Sequence, residues 1–356
     1  MKHSMRQQGF SLIEILVGLA IGLLGMLIMM QVFTVTESGK RSTSGGDDAQ
    51  TGGAIALYSL QRDIRQAGYG ITNIRIIGCN VLLPNGRTLT AMAPITINHA
   101  SIPPGDASTD TVLVVSGSGN GAQEGDGITA QPSATYPRTY SVQTITAFKA
   151  GDMVIAQTQN SGPVTPCNLT MEAVTSVTAG TNNVNVATGV AATANGYIYN
   201  MGAAPHMVAY AVRNTVLTSC DLWVADCSAI SNVNNPAIWA PVASNIVSLR
   251  AVYGKDTTTP MDATIDAYNQ TTPTTACGFS KVFSARIVLV ARNASYDKAD
   301  LTTTAPTWME SGNAAILLDD NDEWTHYRYK VFQTEVPIRN VISTGVVPSV
   351  GGGAPC

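Results

Sequence analysis

Charge is scarce in this chain. Charged residues make up 12% of its 356 positions, about half the usual share. No cluster of Lys and Arg forms a basic stripe, so nucleic acid is not an expected partner. The net charge is −4, and loss of Lys2 and Arg6 with a leader would take it to −6. Metal-ligand spacing is also missing. There is no C-x-x-C pair, and the four histidines (His3, His99, His206 and His326) are scattered, so neither a metal nor a cofactor is expected. Neither a G-x-S-x-G elbow nor an H-E-x-x-H helix is present, and no residue presents itself as catalytic. No 20–50-residue repeat appears. Proline is absent from Phe10 to Thr36, so any bend there has to come from glycine.

What is present begins at the amino end. Gly9 to Thr36, GFSLIEILVGLAIGLLGMLIMMQVFTVT, is a long apolar run with one carboxylate, Glu14. The uncharged part, Ile15 to Thr36, reaches about 33 Å as a helix, enough for a hydrocarbon core of about 30 Å. A secretory signal has a shorter apolar core and a small-residue cleavage site. The segment therefore reads as a retained membrane anchor. A carboxylate in a spanning helix costs about 2.5–3.5 kcal/mol at the bilayer centre, less near an interface, so Glu14 calls for a compensating partner or a place among the headgroups. Gly18 and Gly22 form a G-x-x-x-G pair that lets a second helix approach closely, although glycine is common in membrane helices in any case. Lys2 and Arg6 before the span balance Lys40 and Arg41 after it, and charge does not set the orientation.

The order Gly9-Phe10-Ser11-Leu12-Ile13-Glu14 ahead of that run resembles the class III signal of type IV prepilins. The resemblance implies that a prepilin peptidase cuts after Gly9 on the cytoplasmic side and N-methylates Phe10. It also implies that Glu14 meets the freed amine of a neighbouring subunit and sets the axial register of packed helices. Further on, Leu57, Leu60, Ile64 and Ala67 recur at helical spacing, and Gly68 and Gly70 supply a stop. Leu60–Tyr69, Asn245–Asp256 and Tyr327–Asn340 are similar to stretches of the PilW family of minor pilins. Between the two helical patterns, residues 37–53 contain Gly45-Gly46 and Gly52-Gly53, each costing about 1 kcal/mol relative to alanine in a helix. By propensity a break or soft joint is plausible there, although the resemblance implies a helix that continues.

Beyond Ile71 short apolar runs alternate with turn-rich stretches. Strands are expected at Thr111–Ser116, Met153–Gln157, Ile246–Tyr253 and Val282–Arg292. Hairpins are expected at His206–Val224 and at Ala314–Val336. The Thr/Ser/Asn/Gly-rich stretches near 117–147, 158–200 and 255–278 read as long surface loops. The six cysteines, Cys79, Cys167, Cys220, Cys227, Cys277 and Cys356, are even in number, widely spaced and beyond an anchor, so disulfides are expected. Six cysteines allow 15 pairings. Cys220–Cys227, close in sequence, is the best single pair, and Cys356 is either free or ties down the tail. The acidic turn Asp319–Glu323 offers hard oxygen ligands but lacks EF-hand spacing, and a solvated turn is the better reading.

The sequence thus predicts an α+β chain with the pilin fold, a long helix packed on an antiparallel sheet. Residues 1–9 would be leader, 10–36 the transmembrane assembly helix, 37–70 its amphipathic continuation and 71–356 a β-rich periplasmic or extracellular domain. The resemblance implies a non-enzymatic minor pilin that primes pilus assembly and enters the pilus near the tip. Its partners would be prepilin peptidase, other minor and major pilins, the inner-membrane assembly machinery and the membrane. A type II secretion pseudopilin shares the leader and helix. A tip adhesin or DNA-uptake pilin using the decorated loops is the reading from another class.

Overall fold

The computed structural model describes residues 9, 11–119, 121–122, 124–133, 135, 137–157, 167–191, 193–308, 315–318, 323–342 and 356. One helix, α1 (Leu12–Gln66), precedes everything else. The strands follow as β1 (Asn80–Leu82), β2 (Thr88–Leu89), β3 (Ile95–Ile97), β4 (Val112–Ser116), β5 (Asp126–Ser133), β6 (Arg138–Val142), β7 (Met153–Gln157), β8 (Asn168–Thr178) and β9 (Asn183–Val186). After them come β10 (Tyr197–Gly202), β11 (His206–Arg213), β12 (Val216–Asp221), β13 (Ala240–Ser244), β14 (Ile246–Lys255), β15 (Ala267–Asn269), β16 (Val282–Arg292) and β17 (Tyr329–Pro337). Two short helices, α2 (Ala276–Ser280) and α3 (Arg339–Ile342), flank β16 and β17. An N-terminal helix and a largely antiparallel β body make the chain α+β.

The second half of α1 lies on this body. Its buried residues, Ala49, Ala56, Leu60, Ile64 and Ala67, share a core with Leu249, Ala251 and Tyr253 of β14, Ile287 and Leu289 of β16, and Tyr210 and Val212 of β11. Full burial of a side chain such as Leu60 or Ile64 contributes about 1.5–3 kcal/mol. The sheet under the helix runs β15-β14-β16-β17. Its central strand β16 alternates: Ile287, Leu289 and Ala291 face α1, while Val288 and Val290 meet Trp308 and Ile316 behind. A second sheet, β13-β12-β11-β4-β3, continues the layer. It too is apolar on both faces, with Val112 and Val114 turned to the helix core and Leu113 and Val115 to a second core.

That second core joins the five-stranded sheet to a structure absent from the sequence reading. Strands β8-β7-β10-β5-β6-β9 pair in order, and β9 pairs again with β8, which closes a six-stranded barrel. Ile128, Tyr140, Val142, Val154, Val174, Val184, Val186 and Ile198 fill it. The stretches 117–147 and 158–200, expected as loops, therefore carry most of a barrel. Hydroxyl and amide residues stand on its outside, as in Thr139–Asn185–Ser176 and Ser141–Asn183, and the strands read polar for that reason. The barrel leaves the five-stranded sheet after Ser116 and returns at His206, and those two residues are paired neighbours.

Other differences concern the helix and the last hairpin. No break occurs at 37–53, and α1 is continuous through all four glycines. Three of them, Gly45, Gly52 and Gly53, sit where the helix presses on the body. A Cβ on Gly45 would be 3.0 Å from Asn293 Cβ, one on Gly52 would be 3.2 Å from the Ser244 carbonyl, and one on Gly53 would be 2.1 Å from Phe332 Cε2. Only Gly46 faces open space. The propensity cost is offset by close packing. In the Ala314–Val336 stretch, Ala314 and Asp319–Asp322 lie outside the described residues. Ala315 forms an isolated bridge with Thr307, Glu323–His326 is a 3₁₀ turn, and β17 pairs along β16 instead. One pairing, β1 with β8, is parallel.

Three disulfides link Cys79 to Cys167, Cys220 to Cys227 and Cys277 to Cys356. The short-range pair closes the loop after β12, Cys79–Cys167 ties the segment after α1 to the barrel, and Cys356 is tied down rather than free. Among the described residues no group of three or more His, Cys, Asp or Glu is placed to hold a metal ion.

Candidate assembly helix

Ser11 stands at the start of α1 in extended geometry, with φ −71° and ψ 142°. Its backbone N–H donates to Glu14 Oε2 at 3.1 Å, and the Glu14 N–H donates back to the Ser11 carbonyl at 3.0 Å. Glu14 therefore caps its own helix, and its charge lies at the positive end of the helix dipole. This supplies part of the compensation that a carboxylate in an apolar run calls for. Gly9 is exposed next to this cap. Phe10 lies outside the described residues.

From Leu12 to Glu37 the helix is long and apolar enough to cross a membrane, and none of its most apolar stretch is covered by the rest of the chain. Leu16, Leu23, Leu27, Met30 and Phe33 are all exposed. Such a surface is not stable in water and needs lipid or other helices around it. The hydroxyls within it are satisfied locally: Thr34 Oγ1 donates to the Gln31 carbonyl at 2.9 Å, and Thr36 Oγ1 to the Val32 carbonyl at 2.8 Å. Nothing lies within 4 Å of a Cβ built on Gly18 or Gly22. Four residues apart, they share an open face. The helix thus gathers Gly9, Glu14, Gly18 and Gly22 along one projecting rod. Cys220 and Cys227 are elsewhere, stapling the body.

The second half of the helix, packed on the β body, holds residues that the periodicity did not single out. Asp63 is three residues beyond Leu60 and seven beyond Ala56, hence on the buried stripe itself, and it is 2% exposed. Tyr210 Oη donates to Asp63 Oδ2 at 2.6 Å, His206 Nε2 lies 3.5 Å from the same oxygen, and Arg62 Nε is 3.0 Å from Oδ1. Burial pushes the Asp63 carboxyl up, but the hydrogen bonds from His206, Tyr210 and Arg62 outweigh it and hold the pKa below the usual carboxylate range. A carboxylate at a stripe position is the signal that points to a partner across the interface. The sequence gives no means of finding Tyr210 and His206, which come from β11.

Residues 4–30 match the family model of the prokaryotic N-terminal methylation motif. Residues 209–340 match that of the type IV pilus-assembly protein W. The second match runs from β11 to α3, so it takes in the sheet beneath the helix and leaves the barrel outside. No curated protein and no solved structure matches the chain. Both matched families are structural pilus proteins rather than known enzymes. A methylation motif opening onto an uncovered apolar helix, and a region similar to the pilus-assembly protein W under the far half of that helix, together support a type IV pilin-like protein.

Proposed function

We propose that the chain is a minor pilin that primes type IV pilus assembly and is incorporated in the pilus near its tip. One observation carries this reading: the methylation motif leads directly into a helix whose first half is wholly uncovered while its second half is fixed to a β body. In this reading residues 1–9 are removed after Gly9, Phe10 is N-methylated, and the anchor becomes an assembly element. The helix crosses the inner membrane with the β body in the periplasm. Gly18 and Gly22 admit neighbouring helices, Glu14 receives the amine of a neighbour, and the helix–sheet unit is a pilin fold. The peptidase, other pilins and the inner-membrane machinery are the partners. The Glu14 carboxylate, placed at its own helix start by the Ser11 N–H, offers the charge that the neighbour's amine needs.

Mass spectrometry of the mature amino terminus tests this. The expected species begins at N-methylated Phe10. A chain that keeps Met1, or one cut after Thr36, refutes the prepilin reading. Glu14→Ala is expected to be processed normally but to enter pili poorly, and normal incorporation would remove Glu14 from the register mechanism. A second reading, a tip-binding module, is favoured by one observation: the barrel, at 126–202, lies outside the residues that match the pilus-assembly family.

A further inference from the structure

We propose that Asp63, His206 and Asp221 form a proton-operated clasp between the assembly helix and the β body. The clasp tightens when the His206 imidazole takes up a proton. Every other residue of α1 buried between Ala49 and Ala67 is apolar or glycine, so Asp63 is the only charge of the helix face inside that contact. Its cross-element partners both come from β11, where His206 and Tyr210 stand on the same side of the strand as Val208, two residues from each. Tyr210 holds the carboxylate at 2.6 Å whatever the pH of ordinary solutions, because burial and the adjacent Asp63 charge push its hydroxyl pKa upward. The His206 contact is different. At 3.5 Å it is long for a neutral hydrogen bond, and it becomes a charge-assisted one when the ring is protonated.

Asp63 is on the helix side. Asp221 of β12 lies on the body side, where its Oδ1 accepts from the Trp223 N–H at 2.9 Å and its charge favours the protonated ring. Arg62 is the opposing cation, half-exposed and already on Asp63 Oδ1. Tyr58 and Arg87 lie further off, acting on Arg62 and Asp221 respectively. The ring thus lies 3.5 Å from the Asp63 carboxylate, with the charge of Asp221 favouring its protonated form and that of Arg62 opposing it. It is 38% exposed, so protons reach it from solvent. The hydrogen bond to Asp63 raises the His206 pKa, burial opposes this, and the charges of Asp63 and Asp221 add to the rise.

A raised histidine pKa fixes the direction. The added hold is fully present below the unfolded value of about 6.5 and is lost as pH rises through the folded value. An assembly helix held by such a clasp is gripped more firmly in a mildly acidic periplasm or extracellular medium than in an alkaline one. The grip acts on the second half of α1 and leaves the membrane half untouched.

The test is hydrogen–deuterium exchange of residues 56–66 in the full-length chain in detergent micelles, corrected for intrinsic rates, at pH 6.0 and pH 8.5. Each unit by which the folded His206 pKa exceeds the unfolded one is worth about tenfold in protection. Wild-type protein is expected to be more protected at pH 6.0. His206→Gln, at a half-exposed position, is expected to fold and to show equal protection at both pH values, matching wild type at pH 8.5. Flat wild-type protection, or a pH dependence that survives His206→Gln, would overturn the clasp. An NMR titration of the wild-type His206 ring gives an independent reading. A value above 6.5 supports the clasp, and one at or below 6.5 sinks it.

Discussion

Gly53→Ala separates a glycine that breaks a helix from one that seats it. In an exposed helix interior this change stabilises by about 1 kcal/mol, through backbone entropy and propensity. At Gly53 the new methyl carbon would lie 2.1 Å from Phe332 Cε2 and 2.5 Å from Cδ2. Contacts that short do not exist, so the Phe332 ring or the helix has to move. Phe332 is half-buried and packs against the shared core, so displacing it forfeits part of its own burial. Overpacking costs about 1–3 kcal/mol. Set against the propensity gain, the net loss is about 0–2 kcal/mol. Gly46→Ala is the matched control, with nothing within 4 Å of its added carbon, and it is expected to stabilise by about 1 kcal/mol. Urea unfolding of the full-length chain in detergent, followed by tryptophan fluorescence, measures both. Trp239, 2% exposed, reports on the body. Opposite signs for the two substitutions are expected. Phe332→Ala in the Gly53→Ala background should remove the clash, so that the two changes are non-additive. If Gly53→Ala stabilised as much as Gly46→Ala, the seating argument would fail.

The disulfides should rank by the chain they close. Removing Cys79–Cys167, separated by 88 residues, is expected to cost about 4–5 kcal/mol by the loop-entropy estimate. Removing Cys220–Cys227, separated by 7, should cost about 2–2.5 kcal/mol. Denaturant midpoints of the paired Cys→Ser variants check the order. Glu172 is buried at the side of the barrel, and burial raises its pKa despite hydrogen bonds from Thr188 and the Gly189 N–H. A carboxyl whose folded pKa is raised costs stability as pH climbs through and beyond its unfolded value of about 4.3. Glu172→Gln should therefore stabilise the chain at pH 7 and do little at pH 4, which thermal melting at the two pH values would show.

The sequence carried the long apolar helix clearly, because the uncharged run after Glu14 is too long for a strand. It also carried the apolar strands buried on both faces and bounded by turns: β4, β7, β11, β14 and β16 lie within a residue or two of their expected positions. The glycines at 45, 46, 52 and 53 misled, since propensity speaks only of the isolated helix and not of the surface it meets. The barrel was illegible for a related reason. Its strands bury small β-branched residues inward and show Thr, Ser and Asn outward, the composition of a loop. Closure of a sheet depends on which strand meets which, and no local pattern records that. In α1, Glu14 stands out in the sequence as the one carboxylate of an apolar run, whereas Asp63 acquires meaning only from Tyr210 and His206, which lie 147 and 143 residues away.

The pairing of Ser116 with His206 means that the barrel enters and leaves through one doorway in the sheet. A unit mounted in this way behaves as a cassette. Lineages or engineers could exchange what hangs between those two residues for another fold of any size, and the helix–sheet chassis would keep its register. The exchange is limited by the Cys79–Cys167 bond, by the β1–β8 ladder and by the second core, where Ile155, Met171, Tyr199 and Met201 pack with Leu113 and Val115. A graft that replaces 117–205 therefore has to supply a new partner for Cys79, for the exposed edge of β1 and for the apolar face of the five-stranded sheet.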